Sequence, residues 1–271
     1  MPKPLNIPHR GGAQLWPENT RLAFVSAAES AFDGAELDVQ LTRDGQLVVF
    51  HDFRLKPGLC RDAEGRWLRG SRLPLIKDMT LSQLQSFDVG RAKPGSLYAR
   101  SHKNITPRDG ERMPSLAQVI EATRAVKSDF RLFIEIKTSI EYPALSARPE
   151  QVAEALVAEL RRLNARQSVV LVGFDWAGLV HAKSLDPDVP CWFSTTRDSR
   201  AGPDEIRAAG GDGWFKDYRG VNAQTVRAAR ACNLSFGAWT VNTKSAMHRL
   251  IAAGADAICT DRPDLLQTLL R

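Results

Sequence analysis

No pair of cysteines in this chain is spaced as CxxC. Its four cysteines, Cys60, Cys191, Cys232 and Cys259, are scattered along 271 residues. That spacing argues against a disulfide frame or a clustered zinc site and reads instead as reduced packing residues. No apolar run approaches the ~18 residues of a membrane span, so stable membrane insertion is not expected. Blocks of like charge are also missing. The net charge of +6 is spread among interspersed acids, which describes a solvated surface. No basic stripe or aromatic RNA-binding motif accompanies it, so a nucleic-acid partner is not expected. A small anionic ligand fits that charge better. The first residues, MPKPLNIPHRG, run into a strand-like segment with no apolar stretch ahead of it. A cytoplasmic location is therefore expected.

The composition is ordinary for a globular protein, with 43% hydrophobic and 25% charged residues, and the length suits one α/β domain over residues 1–271. Short β-rich runs recur at Leu5–His9, Ala35–Leu41, Leu47–His51, Leu132–Ile136, Val169–Phe174, Pro190–Ser194, Gly213–Lys216, Ser235–Thr240 and Asp256–Thr260. Amphipathic stretches lie between most of them, among them Asn19–Ser30, Pro149–Leu163, Ala223–Ala231, Lys244–Ala253 and Pro263–Leu270. Alternating strands and helices of this kind predict a parallel sheet with helices outside. Nine extended runs are one too many for a (β/α)8 TIM barrel. The surplus is explained by Thr42-Arg43-Asp44-Gly45, a connection too short for a parallel crossover and carrying a hairpin signal. The expected fold is a closed (β/α)8 barrel with a hairpin after its second strand.

The same hairpin suggests chemistry. Glu36 and Asp38 alternate on one strand and share a face. With Asp44–Gly45 as a two-residue loop, Asp38 stands opposite His51; with Arg43–Asp44 as the loop, Glu36 does. Either register sets the imidazole beside the acids, at ~5 Å between opposite Cβ atoms. Two close carboxylates repel unless a cation sits between them, and a hard divalent ion suits oxygen ligands. Glu135 and Lys137 share a face at the end of the next barrel strand, where barrel active sites gather. Glu135 is thus a candidate third metal ligand and Lys137 a candidate cation for an anionic substrate. His9-Arg10-Gly11-Gly12 ends the first strand with a histidine, a guanidinium that can grip phosphate, and glycines that let backbone come close.

These residues carry a family resemblance. HRG at 9–11, PENT at 17–20, ELDVQLTRDG at 36–45, HD at 51–52, EIK at 135–137, WTVN at 239–242 and TDRPD at 260–264 resemble, in order, the glycerophosphodiester phosphodiesterase family. The resemblance implies a phosphodiesterase-type barrel that splits small-molecule glycerophosphodiesters into sn-glycerol 3-phosphate and an alcohol. It further implies one divalent metal ion, Mg²⁺ or Ca²⁺, held by Glu36, Asp38 and Glu135. His9 and His51 would be the catalytic acid and base, Arg10 and Lys137 would bind the phosphate, and Trp239 would line the pocket. The nucleophile in such enzymes is the neighbouring glycerol hydroxyl, giving a cyclic phosphate that water opens.

The segment 53–114 is far longer than the ~4–6 residues of a median connection. It is expected as an insertion over the barrel mouth, with one helical piece near Thr80–Phe87, acting partly as a cap and partly on the leaving group. Two other readings are weighed. A phospholipase D-type enzyme acting on lysophospholipids or sphingomyelin would be expected to show an amphipathic membrane helix, a signal and disulfides. A non-catalytic phosphate-binding barrel would have no need of both histidines together with three acids.

Overall fold

Hydrophobic runs of Val, Ile, Leu and aromatic residues form the strands of a single curved sheet in this computed structural model, which describes residues 3–271. The strands are β1 (Leu5–Pro8), β2 (Gly34–Leu41), β3 (Leu47–Val49), β4 (Arg131–Ile136), β5 (Val169–Gly173), β6 (Cys191–Thr195), β7 (Gly213–Asp217), β8 (Ser235–Trp239) and β9 (Ala257–Thr260). They lie in the order β1-β9-β8-β7-β6-β5-β4-β2-β3. Every pairing is parallel except β2 with β3. The two ends of the parallel set meet where β1 comes against β2. There Asn6 N donates to Asp33 Oδ2 at 2.8 Å and Asp33 N donates to Asn6 O at 3.3 Å. The barrel and its hairpin are as expected from the sequence.

Alternation along each strand builds two apolar layers. On β4, Leu132, Ile134 and Ile136 face outward into the main core, whereas Phe133 points into the barrel. The interior layer packs Phe133 with Ile7, Val172, Trp192 and Phe215 beneath the strand ends. The outer layer is covered by α1 (Arg21–Glu29), then, beyond the insertion described below, by helices at Leu116–Val126, Pro149–Arg162, Trp176–Leu185, Pro203–Ala208, Ala223–Ala231, Lys244–Ala253 and Pro263–Leu270. Their ends are set locally. Ser115 and Gln118 form a reciprocal cap at 3.2 and 2.9 Å, and Thr243 accepts Ala246 N at 3.4 Å, which satisfies donors that a helix start leaves open. Among the described residues, no helix is long and apolar enough to cross a membrane.

The hairpin register differs from both alternatives. Val39 pairs with Val49 and Leu41 with Leu47, so the loop has three residues, Arg43, Asp44 and Gly45. Gly45 adopts the left-handed region at φ 74°, as three-residue hairpin loops require. Thr42 fixes the loop: its hydroxyl donates to Asp44 Oδ1 at 2.6 Å and accepts Gln46 N at 2.9 Å. Phe50 N then donates to the carbonyl of Asp38 at 3.0 Å, so Phe50, not His51, stands beside Asp38. Strict alternation would next turn His51 outward with Leu37. The strand instead ends at Val49, two residues earlier than expected, and the chain bends. Gln40 Nε2 holds the bend by donating to Phe50 O at 2.7 Å and Asp52 O at 3.0 Å.

The long insertion has an apolar cluster of its own, in which Leu55, Leu59, Ile76, Leu84, Val89 and Met113 pack under Val48 and Phe50. The helical piece anticipated near Thr80–Phe87 is α2 (Leu81–Leu84), and a second short helix, α3 (Leu97–Ser101), follows it.

Candidate active site

The turn after β1 begins the site. His9–Gly11 forms one 3-10 turn in which Arg10 takes a left-handed backbone, φ 50° and ψ 35°. That conformation is unusual for a non-glycine residue. It aims Arg10 N at Glu36 Oε2, at 3.0 Å. Gly11 is required here, because a Cβ would lie 2.7 Å from the Cβ of Ala23. Close packing of the turn on α1 therefore fixes where His9 and Arg10 stand.

β2 and β4 supply the acids. Their parallel register sets Asp38 beside Glu135, and one oxygen from each of Glu36, Asp38 and Glu135 lies within 4.8 Å of the others. Lys137 Nζ sits 2.8 Å from Glu135 Oε1 and 3.5 Å from Asp38 Oδ1. Arg10 donates to Glu18 at 3.1 Å. Its Nε is 3.4 Å from Asp38 Oδ2 but out of hydrogen-bonding geometry, so this buried donor has no acceptor. His9 Nε2 is 3.9 Å from Glu36.

Charge is unevenly distributed among these groups. Burial, together with the charge of Asp38, pushes the Glu36 carboxyl up to about 8 against the pull of His9. Burial would also raise Asp38, but His51, Lys137 and Arg10 outweigh it and hold that carboxyl far below the usual range. Burial and Arg10 disfavour the His9 imidazolium; the Asp261 hydrogen bond and the charges of Glu36 and Asp261 overcome them and raise its pKa. Three carboxylates at this spacing, one of them driven toward its neutral form, fit a hard divalent cation in chemistry and arrangement.

His9, Arg10, Glu36, His51, Glu135, Lys137 and Trp239 line one cavity of about 240 Å³, together with Phe174, Ser194, Phe215, Thr240 and Cys259. Asp38 is buried, 1% exposed, and meets the site through Lys137 and Arg10. The structure thus brings together every residue singled out from the sequence. Trp239 donates its indole N–H to Phe215 O at 3.0 Å and packs edge-on against Phe174, so it offers the cavity ring surface and no donor.

Several contributors were not singled out beforehand. Asp261, from the TDRPD run, lies 2.6 Å from His9 Nδ1 and accepts Asn242 Nδ2 at 2.6 Å. Asp52 contacts His51 Nδ1 at 2.9 Å and Lys56 at 2.7 Å. Asn19, from PENT, donates to Asp38 at 2.9 Å. Glu18 joins Arg10 to the insertion, accepting from Tyr98 Oη at 2.8 Å. All but Tyr98 and Lys56 lay within motifs already quoted, which was the available signal. The insertion thus meets the site through the partners of Arg10 and His51, and residues 54–114 do not line the cavity.

Comparison with known proteins gives a consistent picture. The family model described as "Glycerophosphoryl diester phosphodiesterase family" matches residues 9–265. A glycerophosphodiester phosphodiesterase of Caldanaerobacter subterraneus subsp. tengcongensis is 31% identical, covering 99% of this chain and 98% of the relative. One from Bacillus subtilis (strain 168) is 28% identical over 96% of this chain and 84% of its own. Among solved structures, a protein of Silicibacter pomeroyi DSS-3 assigned to the same activity superposes with a TM-score of 0.91 at 27% identity, covering 100% of this chain and 94% of that one.

Proposed function

The chain belongs to the glycerophosphoryl diester phosphodiesterase family and is an enzyme of that class; on that premise we propose that it hydrolyses glycerophosphodiesters to sn-glycerol 3-phosphate and an alcohol. The observation that carries this reading is one cavity lined by two imidazoles, two cations and the carboxyls of Glu36 and Glu135, with the buried Asp38 carboxyl beside those two. Glu36, Asp38 and Glu135 would hold one divalent ion, Mg²⁺ or Ca²⁺. Such an ion, when bound, polarises phosphoryl oxygens and offsets their charge.

The remaining work belongs to the side chains. Arg10 and Lys137 neutralise the phosphodiester and its developing charge. Arg10 is fixed for this by Glu18 on one side and by its own backbone contact to Glu36 on the other. His9 and His51 handle protons, one taking a proton from the nucleophile and the other giving one to the departing alcohol. Each is oriented through Nδ1, His9 by Asp261 and His51 by Asp52, which leaves Nε2 as the working nitrogen. Phe174, Phe215 and Trp239 keep the cavity walls apolar, strengthening these interactions by excluding water. The direct test is release of glycerol 3-phosphate from glycerophosphocholine. Release is expected to stop with EDTA and return with Mg²⁺ or Ca²⁺; release unaffected by exhaustive chelation contradicts the metal reading.

A further inference from the structure

Two lines of contact run from the cavity into the insertion. Along the first, His51 Nδ1 meets Asp52 at 2.9 Å and Asp52 meets Lys56 Nζ at 2.7 Å. Along the second, Arg10 donates to Glu18 at 3.1 Å and Glu18 accepts from Tyr98 Oη at 2.8 Å. Lys56 Nζ stands over the Tyr98 ring, 5.1 Å from its centroid, so both lines end on one ammonium. The backbone around it is fixed. Leu55 N donates to Pro74 O at 3.2 Å, and Lys56 O accepts Leu59 N at 3.0 Å and Cys60 N at 2.8 Å. Lys93 N donates to Gly58 O at 2.8 Å, which ties this turn to the segment leading into α3 and sets Lys56 over Tyr98.

We infer that Lys56 is a positioning residue that couples the proton-handling His51 to the phosphate-binding Arg10. The inference rests on the phosphodiesterase reading above. An isolated, exposed ion pair contributes little. Lys56 differs because its side chain is only 31% exposed and each of its two partners is committed to a group in the cavity. Burial would raise the Asp52 carboxyl; the His51 hydrogen bond and Lys56 hold it well below the usual range, so it stays a charged acceptor for Nδ1–H. The Tyr98 ring attracts the same ammonium and stacks on His102 at 4.2 Å between centroids, which restrains its hydroxyl toward Glu18. The insertion therefore acts on both catalytic arms without entering the cavity.

The test is kcat and KM for glycerol 3-phosphate release from glycerophosphocholine in Lys56→Met, Lys56→Gln and Lys56→Arg, with bound metal measured on the same samples. Lys56 does not line the cavity, so as a mere surface charge it would leave both constants at their wild-type values. Misplacing a catalytic group by 1 Å can cost about 10²-fold, so partial loosening in Lys56→Met and Lys56→Gln is expected to lower kcat and raise KM, each about threefold to tenfold. Metal content should not change. Lys56→Arg keeps the charge and the cation–π contact and should stay within about twofold of wild type. Double variants separate the two routes. Over Asp52→Asn, Lys56→Met should leave kcat where it already stands and still raise KM. Over Tyr98→Phe, it should leave KM in place and still lower kcat. Wild-type constants in the methionine and glutamine variants, a change in only one constant, or loss of metal overturns the coupling. So does full additivity in either double variant, or an arginine variant no better than the methionine one. A wild type that releases no glycerol 3-phosphate overturns the phosphodiesterase reading as well.

Discussion

Asp261 Oδ1 lies 2.6 Å from His9 Nδ1 across 252 positions of sequence, so the first and last strands of the barrel jointly orient one imidazole. Because the carboxylate accepts from Nδ1–H, Nε2 is the nitrogen left toward Glu36 and the cavity. Replacing Asp261 by Asn removes the charge that raises the His9 pKa and leaves only a weaker, neutral acceptor for Nδ1–H. Asp261→Asn should therefore move the His9 titration to lower pH, read as the Cε1 proton shift assigned by its loss in His9→Gln. The corresponding limb of the kcat/KM profile should move the same way. An unmoved titration contradicts the orienting role. The pair also affects stability. With its folded pKa raised, His9 contributes stability below the ordinary value of ~6.5 that is lost as pH rises through the folded value.

Glu36 makes the opposite prediction. Its carboxyl is pushed up to about 8, so the metal-free native state holds a proton that the unfolded chain has released above ~4.3. Stability of the chelated protein should consequently fall as pH rises from about 4.3 toward about 8. Glu36→Gln should raise the Tm of chelated protein at pH ~8, and with Mg²⁺ or Ca²⁺ present that advantage should vanish or reverse. If Glu36→Gln lowers Tm in EDTA, the acid cluster carries no such repulsion.

Tyr98 reaches from α3 to the buried Glu18 that holds Arg10. Tyr98→Phe deletes a donor to a buried carboxylate, and hydrogen bonds to charged groups contribute about 1.5–3 kcal/mol. A loss of that order in denaturant unfolding is expected with an unchanged m-value. KM should rise more than kcat falls, since Arg10 would keep its charge and lose part of its bracing. Unchanged stability would mean that Glu18 finds another partner, such as His102, whose Nε2 lies 4.0 Å away.

Much of this architecture could be read from residue patterns, because the forces that set it are local. Alternation of Leu132, Ile134 and Ile136 with Phe133, Glu135 and Lys137 fixes which face of β4 meets the helices, and hydrophobicity alone specifies it. Two features escaped. The hairpin was expected to turn in two residues, but the Thr42 hydroxyl and the left-handed Gly45 make a third loop residue favourable. His51 therefore reaches the site through the bend held by Gln40 and not through pairing. The bracing of the histidines was also missed. Asp261 and His9 meet only once the barrel closes, and no spacing along the chain encodes that contact.

The central claim is that His9 and His51 move protons above a metal site that neither of them ligates. It is tested most directly by kcat for glycerol 3-phosphate release in His9→Ala, His51→Ala and the double variant, with bound metal measured on the same samples. Each single change should lower kcat by about 10²–10⁴-fold with metal content unchanged. The double variant should lose far less than the product of the two. Near-native kcat in His51→Ala with its metal in place, or loss of metal from either single variant, contradicts the account.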